Sequence, residues 1–570
     1  LTRAARTLPL FPPLALLWAI ASHAVNVPRW DDWGVIPFVV ALRDGSLTIA
    51  DFWAQHNEHR IAAVKLILVP LMLATDFDVT AMMYAGFGLQ LGAFALLWSL
   101  LKSTVGATDG RAALALAVVV SLLMFSPAQD EVWLWGLPSL QWHLCNLTAA
   151  AAVWLTASRI SPWLWLPACF LLTCAGMLAV ASGIMLWGVI LAAIVTDGIV
   201  SRRRLDAALL IAWAAGAVAL VAAYFTGLRP SATATDPSYF LGHPLEFVSF
   251  VLVYLGSPFL QGADLRWSRI VGLGGILAFA GAVYAVAIRR VLQGALPWLW
   301  LSLYALMVAV ATAVGRTQTG ILTATTNRYT TGSWFFWIGL LVIAAMMMQR
   351  LWRAGSISGS SALKAVAAAA AIAGALDYAW LYRRGYQRFV ATHNDRQTAL
   401  AELWAYQTAP DEALALLYPP SPEAARSYAR ILESRGLGPF SSRMLRGRPE
   451  REAIIRPAGH VRSAAGALET AQCTVIAGWA WDKEQPDVPV EVDIYEGRNH
   501  IGKVTAYWYR RDLAAAGMGR GRHAFLFTPP SGLKDGRTRR IRARISGTDT
   551  DLAGSPATFA CSDTQAILWR

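Results

Sequence analysis

The sequence predicts a polytopic α-helical membrane protein that ends in an all-β sandwich, and three observations carry that prediction. Of 570 residues, 56% are hydrophobic and 15% charged, whereas a soluble domain carries about a quarter of its residues as charges. The apolar residues come in successive blocks between Leu8 and Leu381, and a helix needs about 20 apolar residues to cross hydrocarbon. From 471 onward the pattern changes to short alternating runs broken by Gly, Pro and Asp.

Backbone in lipid must satisfy its own N–H and C=O groups, so the apolar blocks read as helices. They run at 8–27, 59–75, 79–101, 112–127, 135–155, 162–178, 181–199, 207–227, 246–261, 269–288, 295–315, 331–349 and 362–381. Of these, 59–75 and 246–261 are short. Basic residues flank several blocks: Arg3 and Arg6, Arg202–Arg204, Arg289 and Arg290, Arg350 and Arg353. The positive-inside rule puts all of them in the cytoplasm. Thirteen crossings leave Arg202–Arg204 outside, whereas eleven, with the two short blocks interfacial or re-entrant, put every cluster inside. Both counts place the N-terminus in the cytoplasm and the region after Tyr382 outside. Eleven is preferred. The first block, with its basic start, reads as a retained helix rather than a cleaved signal. Tryptophans near block ends, among them Trp30, Trp33, Trp133, Trp135, Trp163, Trp165, Trp298, Trp300 and Trp334, are expected at the headgroup level.

The stretch 28–60 follows the first helix and lies outside under both counts. It opens with Pro-Arg-Trp-Asp-Asp-Trp at 28–33 and closes with Gln-His-Asn-Glu-His-Arg at 55–60, with a short helical pattern at 35–43 between them. Asp31 and Asp32 are candidate general bases, since a carboxylate at a low-dielectric boundary has its pKa raised. His56, Glu58, His59 and Arg60 are compressed into five positions at the start of the next block, and on a helix His56 would share a face with His59 and with Arg60. Asp31, Asp32 and His56 also belong to the ligand vocabulary of a divalent metal such as Mg or Mn. The bland reading is a polar loop whose acids pair with nearby arginines.

A second stretch, 315–330, is also outside and holds Arg316 and Arg328 among hydroxyl side chains, with Tyr329 beside them. Guanidinium forks bind phosphate oxygens. Carboxylates from one loop and guanidiniums from another suit a phosphorylated lipid donor surrendering a group to a deprotonated acceptor. A third set, Gln129, Asp130, Glu131, Trp133, Trp135, Gln141, Trp142 and His143, changes side with the crossing count and receives no chemistry. A fourth, 228–244 with Arg229, Asp236, Tyr239 and His243, lies outside in the eleven-crossing count.

This pattern resembles the GT-C superfamily of integral-membrane glycosyltransferases, especially its uncharacterised bacterial members. The likeness covers roughly residues 8–381. It rests on the acid pair Asp31-Asp32 just after the first helix, the run at 55–60, Gly315-Arg316 and Arg328-Tyr329. It implies a GT-C-like fold of about 11–13 membrane segments, with Asp31 or Asp32, narrowly Asp32, as general base or metal contact. It also implies a polyprenyl-phosphate-linked sugar donor whose phosphate Arg316, Arg328 and Tyr329 hold. The acceptor is an envelope glycan, lipid or protein, and the site is the outer face of a bacterial inner membrane. Metal-dependent relatives use further acids from a second loop; none is evident in this chain, so metal dependence stays open. Alternatives are a lipid-linked glycan flippase, an O-antigen-type polymerase or ligase, and a non-catalytic scaffold. A transporter is expected to carry midplane charges and an internal repeat; Lys65 and Asp197 are the only evident intramembrane charges and no repeat is evident.

Residues 382–470 read as a helical linker region, broken at Pro419-Pro420, and 471–562 as a β-sandwich accessory domain. Trp479, Trp481, Tyr507, Trp508 and Tyr509 suit either sugar stacking or a core, the core being favoured. Cys473 and Cys561 bracket this domain and are expected to pair in an oxidising compartment, whereas Cys145, Cys169 and Cys174 fall in membrane blocks. The net charge of +13 does not indicate nucleic acid: from Tyr382 onward 27 basic residues face 20 acidic ones, dispersed and without a nucleic-acid motif. Anionic membrane lipid headgroups or acidic glycans are better partners.

Overall fold

The computed structural model describes residues 4–158, 160–200, 207–229, 235–260, 264–289, 292–355, 361–407, 409, 411–418, 421–445, 463–471, 476–510, 512–513, 516–519, 521–527, 529–530, 533 and 537–560. The chain divides into two compact units, Leu1–His393 and Asn394–Arg570.

The first unit is helical. In chain order its helices are α1 Phe11–His23, α2 Ile36–Arg43, α3 Ile49–Trp53, α4 Ala62–Thr75, α5 Val79–Thr104, α6 Gly110–Met124, α7 Asp130–Trp133 and α8 Gly136–Ala157. There follow α9 Pro162–Met177, α10 Met185–Val200, α11 Ala207–Phe225, α12 Tyr239–Gly242, α13 Pro244–Leu260, α14 Leu265–Val283, α15 Leu296–Arg316 and α16 Asn327–Arg353. The last, α17 Ser361–Trp404, continues into the second unit. Among the described residues, seven helical stretches are long and apolar enough to cross a membrane, and four shorter apolar helices accompany them. The chain is a multi-pass helical membrane protein.

Starts are set by short polar caps. Asp78 accepts from Thr80 N at the head of α5, Asp109 from Arg111 N and Ala112 N at α6, and Asp264 from Arg266 N and Trp267 N at α14. Close helix contacts use small residues, as expected where lipid provides no hydrophobic drive. A Cβ on Gly256 would lie 1.9 Å from Ser268 O, and one on Gly272 would lie 2.0 Å from Leu252 O, so α13 and α14 touch backbone to backbone.

Bonds between helix ends give the direction of each pass. Val79 N donates to Asn26 Oδ1 (3.0 Å), so α5 begins where α1 ends. Trp298 Nε1 donates to Thr104 Oγ1 and Arg353 to Thr108 O, joining the far ends of α5 and α16 to the start of α15. Trp135 Nε1 reaches Arg29 O, Arg60 reaches Tyr224 O, and His393 Nδ1 lies 3.0 Å from His23 O, all at the first end. Traced this way, α5 and α16 run from the first end to the other, and α15 runs back between them. The short helix α4 starts beside Tyr224 and ends where Arg43 binds Met72 O and Asp76, at the same end. Likewise α13 starts beside Thr317 and Ile321, and its Ser257 reaches Ala324 O. So α4 begins and ends at one side, whereas α13 reaches inward, its Leu255 O accepting from Trp337 Nε1 and its Phe259 packing on Trp334 and Trp337. Lys102, Arg289, Arg350 and Arg353 lie at the opposite end, close to the ends of α5, α14 and α16. Arg202–Arg204 and Arg290 fall outside the described residues.

Two expectations change. Trp33, Trp133, Trp135, Trp298, Trp300 and Trp334 are buried rather than at an interfacial belt. Three of them donate to internal acceptors, Trp133 to Ser126 O, Trp135 to Arg29 O and Trp298 to Thr104 Oγ1, which removes the need for water at the indole N–H. Lys65 is not a lone charge in lipid. Its ammonium donates to Asp51 O and Ala54 O at the C-terminal end of α3, where a cation meets the helix's unpaired carbonyls. The side chain of Asp197 lies outside the described residues.

The second unit holds α18 Asp411–Leu417, α19 Pro422–Arg435, α20 Ser442–Leu445 and a β-sandwich. Strands β1 Gln55–His56 and β2 His59–Arg60 belong to the first unit. The sandwich strands are β3 Ala464–Ala471, β4 Ile476–Asp482, β5 Val490–Glu496, β6 Asn499–Ala506, β7 Trp508–Tyr509, β8 Arg522–Phe527, β9 Thr538–Ile545 and β10 Ala557–Ala560. They form two antiparallel four-stranded sheets, ordered β10-β9-β5-β6 and β3-β4-β8-β7. The first strand starts at Ala464, ahead of the boundary at 471. Alternate residues Ile476, Ala480, Val492, Ile494 and Phe525 fill the core. Trp479 and Trp481 occupy the other parity of β4 and are half-buried, so they are not core. The side chains of Trp508 and Tyr509, and the proposed Cys473–Cys561 pair, lie outside the described residues. Cys145, Cys169 and Cys174 are free thiols.

Candidate active site

The run at 55–60 is a β-hairpin, not a helix start: β1 Gln55–His56 pairs antiparallel with β2 His59–Arg60, Gln55 opposite Arg60 and His56 opposite His59. Asn57 supplies the left-handed turn residue at φ +49°, a conformation asparagine tolerates well. The hairpin is pinned at both strands. Gln55 exchanges two side-chain hydrogen bonds with the Arg229 backbone at 2.8 Å. The Arg60 guanidinium donates to Tyr224 O, Trp53 O and Thr226 O. Arg60 is therefore spent on holding the loop.

The acids diverge. Asp32, 0% exposed, accepts from Leu137 N at the first turn of α8 (2.7 Å) and from Arg29 N (3.1 Å). A carboxylate there satisfies an otherwise unpaired helix N–H and meets the positive end of the helix dipole. Asp31 is half-buried and accepts from Asn57 Nδ2 at 2.7 Å. Burial raises its pKa above the ordinary carboxylate value, against the pull of Arg328, the Asn57 hydrogen bond and Arg316, while Glu58 adds to the rise. Its neighbours are thus the two arginines that the sequence singled out.

Arg316, the last residue of α15, makes a two-pronged ion pair with Glu58 at the hairpin turn, Nη1 lying 3.1 Å from Oε1. Arg328, in the first turn of α16, lies with its guanidinium 5.4 Å from the Tyr329 ring centre. Tyr329 in turn stacks on Tyr254 at 5.3 Å and meets Trp142 edge-on at 5.7 Å. His56 is buried against the Gly34 backbone, and burial drives its pKa down to about 3. Burial also lowers that of His59. Both rings are neutral at physiological pH.

The Gln129–Glu131 set, given no role from sequence, belongs to this end. Asp130 accepts from Arg388 Nε (2.8 Å) and Asn327 Nδ2 (2.9 Å), and Glu131 accepts from Arg328 N (3.0 Å). Together they fix the start of α16 and hence Arg328. Asn57, Asp130, Glu131, Asn327 and Arg388 are the residues sequence reasoning missed. The acid pair following Ser126-Pro127 was the available signal. The described part of 228–244 is also here: Thr235 Oγ1 donates to Gly315 O and Asp236 N to Gln318 Oε1. Beside Thr317 opens a cleft of about 420 Å³ lined by Leu245, Glu246, Ser249, Phe250, Arg269 and Ile321.

Among the described residues, no three His, Cys, Asp or Glu side chains converge as a metal site. Asp32 is held by amides and His56 lies against Gly34, so Asp31, Asp32 and His56 do not form a ligand set. No family model and no curated protein matches the chain. Among solved structures it is similar to ArnT from Cupriavidus metallidurans bound to undecaprenyl phosphate. The two share 13% identity over 58% of this chain and 76% of that chain, with a TM-score of 0.29. At that score the likeness carries no part of the site assignment.

Proposed function

We propose that the chain is a GT-C-type glycosyltransferase that moves a sugar from a polyprenyl-phosphate-linked donor to an acceptor hydroxyl. The observation that carries this reading is Asp31, bonded to Asn57 on the hairpin turn whose next residue, Glu58, pairs with Arg316, so that a carboxylate and a guanidinium meet at one end of a membrane bundle. The basic residues at the opposite end support placing the site on the extracytoplasmic face. The base role passes from Asp32, whose oxygens are held by amides, to Asp31.

In the reaction, Asp31 takes the proton of the acceptor hydroxyl as its oxygen bonds to the anomeric carbon. The bond from that carbon to the phosphate oxygen breaks, and the electron pair leaves on the phosphate. Arg328 and Arg316 meet the charge that develops there, which favours the transition state over the ground state. Tyr329, stacked on Tyr254 and edge-on to Trp142, holds Arg328 over the site. The cleft beside Thr317, with Leu245, Phe250 and Ile321 on its wall, suits the apolar part of such a donor.

The test is transfer by the purified full chain in nanodiscs, with polyprenyl-phosphate sugars as donors. Asp31→Asn is expected to lower turnover about 10²–10⁴-fold while retaining donor binding. Unchanged turnover removes Asp31 as base and returns the flippase or scaffold reading.

A further inference from the structure

The Arg316 seat is already filled. Glu58 places both carboxylate oxygens against the guanidinium, and each side chain is 25% exposed. The partners stand 258 residues apart in sequence, one on a two-residue hairpin turn and the other at the end of a long helix. A carboxylate in a fork–fork pair has the geometry and charge with which an arginine binds a phosphate. The same turn contains Asn57, which donates to Asp31. One turn therefore holds both a phosphate-binding cation and the base.

We propose that Glu58 is an internal stand-in for the donor phosphate, which displaces it from Arg316, so that donor binding releases the hairpin turn beside Asp31. This rests on the reading of Arg316 as a phosphate contact. Two consequences follow. In the unliganded protein Glu58 competes with the phosphate and keeps a buried-edge arginine paired, avoiding the cost of an unpaired charge. When phosphate arrives, the freed Glu58 carboxylate lies near Asp31, and its negative charge raises the affinity of Asp31 for the acceptor's proton. The pinned strands, with Gln55 and Arg60 bound to the backbone at 224–229, leave the turn as the part able to move.

The probe is a polyprenyl monophosphate, titrated into the full chain in nanodiscs. Glu58→Gln removes the competing charge at constant shape and is expected to tighten binding on the order of tenfold, the size of one charged hydrogen bond's net contribution. Arg316→Ala is expected to weaken it. In the double variant the gain from Glu58→Gln disappears, because there is no seat to vacate. If Arg316→Ala weakens binding but Glu58→Gln leaves it unchanged or weaker, the stand-in is overturned and the phosphate contact survives. If Arg316→Ala has no effect, the phosphate contact itself fails. A second measurement uses the wild-type chain: hydrogen exchange at 55–60 is expected to rise when the monophosphate binds. Inorganic phosphate at the same concentration is the control for the headgroup alone. Binding with no change in exchange at the turn overturns the proposal even if the Gln variant does not fold.

Discussion

Replacing Asp32 by asparagine separates the two adjacent acids most sharply. The side chain is wholly buried, and each oxygen accepts a backbone amide, Leu137 N at 2.7 Å and Arg29 N at 3.1 Å. Asparagine keeps one acceptor and turns its NH2 toward the other amide, leaving that N–H unpaired. Losing a charge-assisted bond and stranding a buried donor costs on the order of 2–4 kcal/mol. The same step at Asp31, half-buried and held by Asn57, removes a charge that burial disfavours, so little stability is lost. The assay is thermal melting of purified variants in one detergent, with turnover measured on the same preparations. Asp32→Asn is expected to melt several degrees lower and to lose turnover only in proportion to unfolded protein. Asp31→Asn is expected to melt near wild type with turnover collapsed. The opposite pattern, a stable but inactive Asp32→Asn beside an active Asp31→Asn, refutes the reasoning.

Further outcomes are expected. His56 is held neutral with its pKa lowered to about 3 from an ordinary 6.5, so only the unfolded state binds its proton between those values. Its contribution to stability is intact above 6.5 and is lost as pH falls toward 3; melting temperature should fall across pH 6.5–4.5, and less steeply in His56→Gln. Arg388→Ala strips the guanidinium from buried Asp130 and should cost about 1–3 kcal/mol, with the partly exposed arginine discounting a fully buried pair; melting reports it, and donor affinity should fall through Asn327 and Arg328. Cysteine labels at Gly45 and Asp78 should react from the same side of the membrane, because α4 does not cross, whereas a label at Gly106 should react from the other.

Much of the fold was legible because lipid leaves few choices. Apolar blocks of crossing length became helices, and the two short blocks became α4, which begins and ends at one side, and α13, which reaches inward against Trp334 and Trp337 of α16. The alternation in β4 likewise placed Ile476 and Ala480 inward. The site was less legible. His56 and His59 are three apart, which suits a helix face, but a two-residue turn brings the same spacing into register across a hairpin, and only Asn57 signalled it. Asp31 and Asp32 are chemically equal in sequence; the start of α8 at Gly136, over a hundred residues later, decides which is captured. Asp130 and Glu131 stayed without a role because their side of the membrane depended on whether α4 crosses. Tryptophan at a block end suits both a headgroup and a buried acceptor, and Ser126 O, Arg29 O and Thr104 Oγ1 chose the second.

The central claim is that the Asp31 end of the bundle seats a lipid-linked phosphate. The direct measurement is a structure of the full chain in nanodiscs with a polyprenyl-phosphate sugar analogue bound. The account predicts the phosphate on Arg316 and Arg328, the prenyl chain leaving along the Leu245–Ile321 cleft, and Asp31 facing the anomeric carbon. A phosphate seated elsewhere, with Glu58 still paired to Arg316 and Asp31 remote from the sugar, would contradict it.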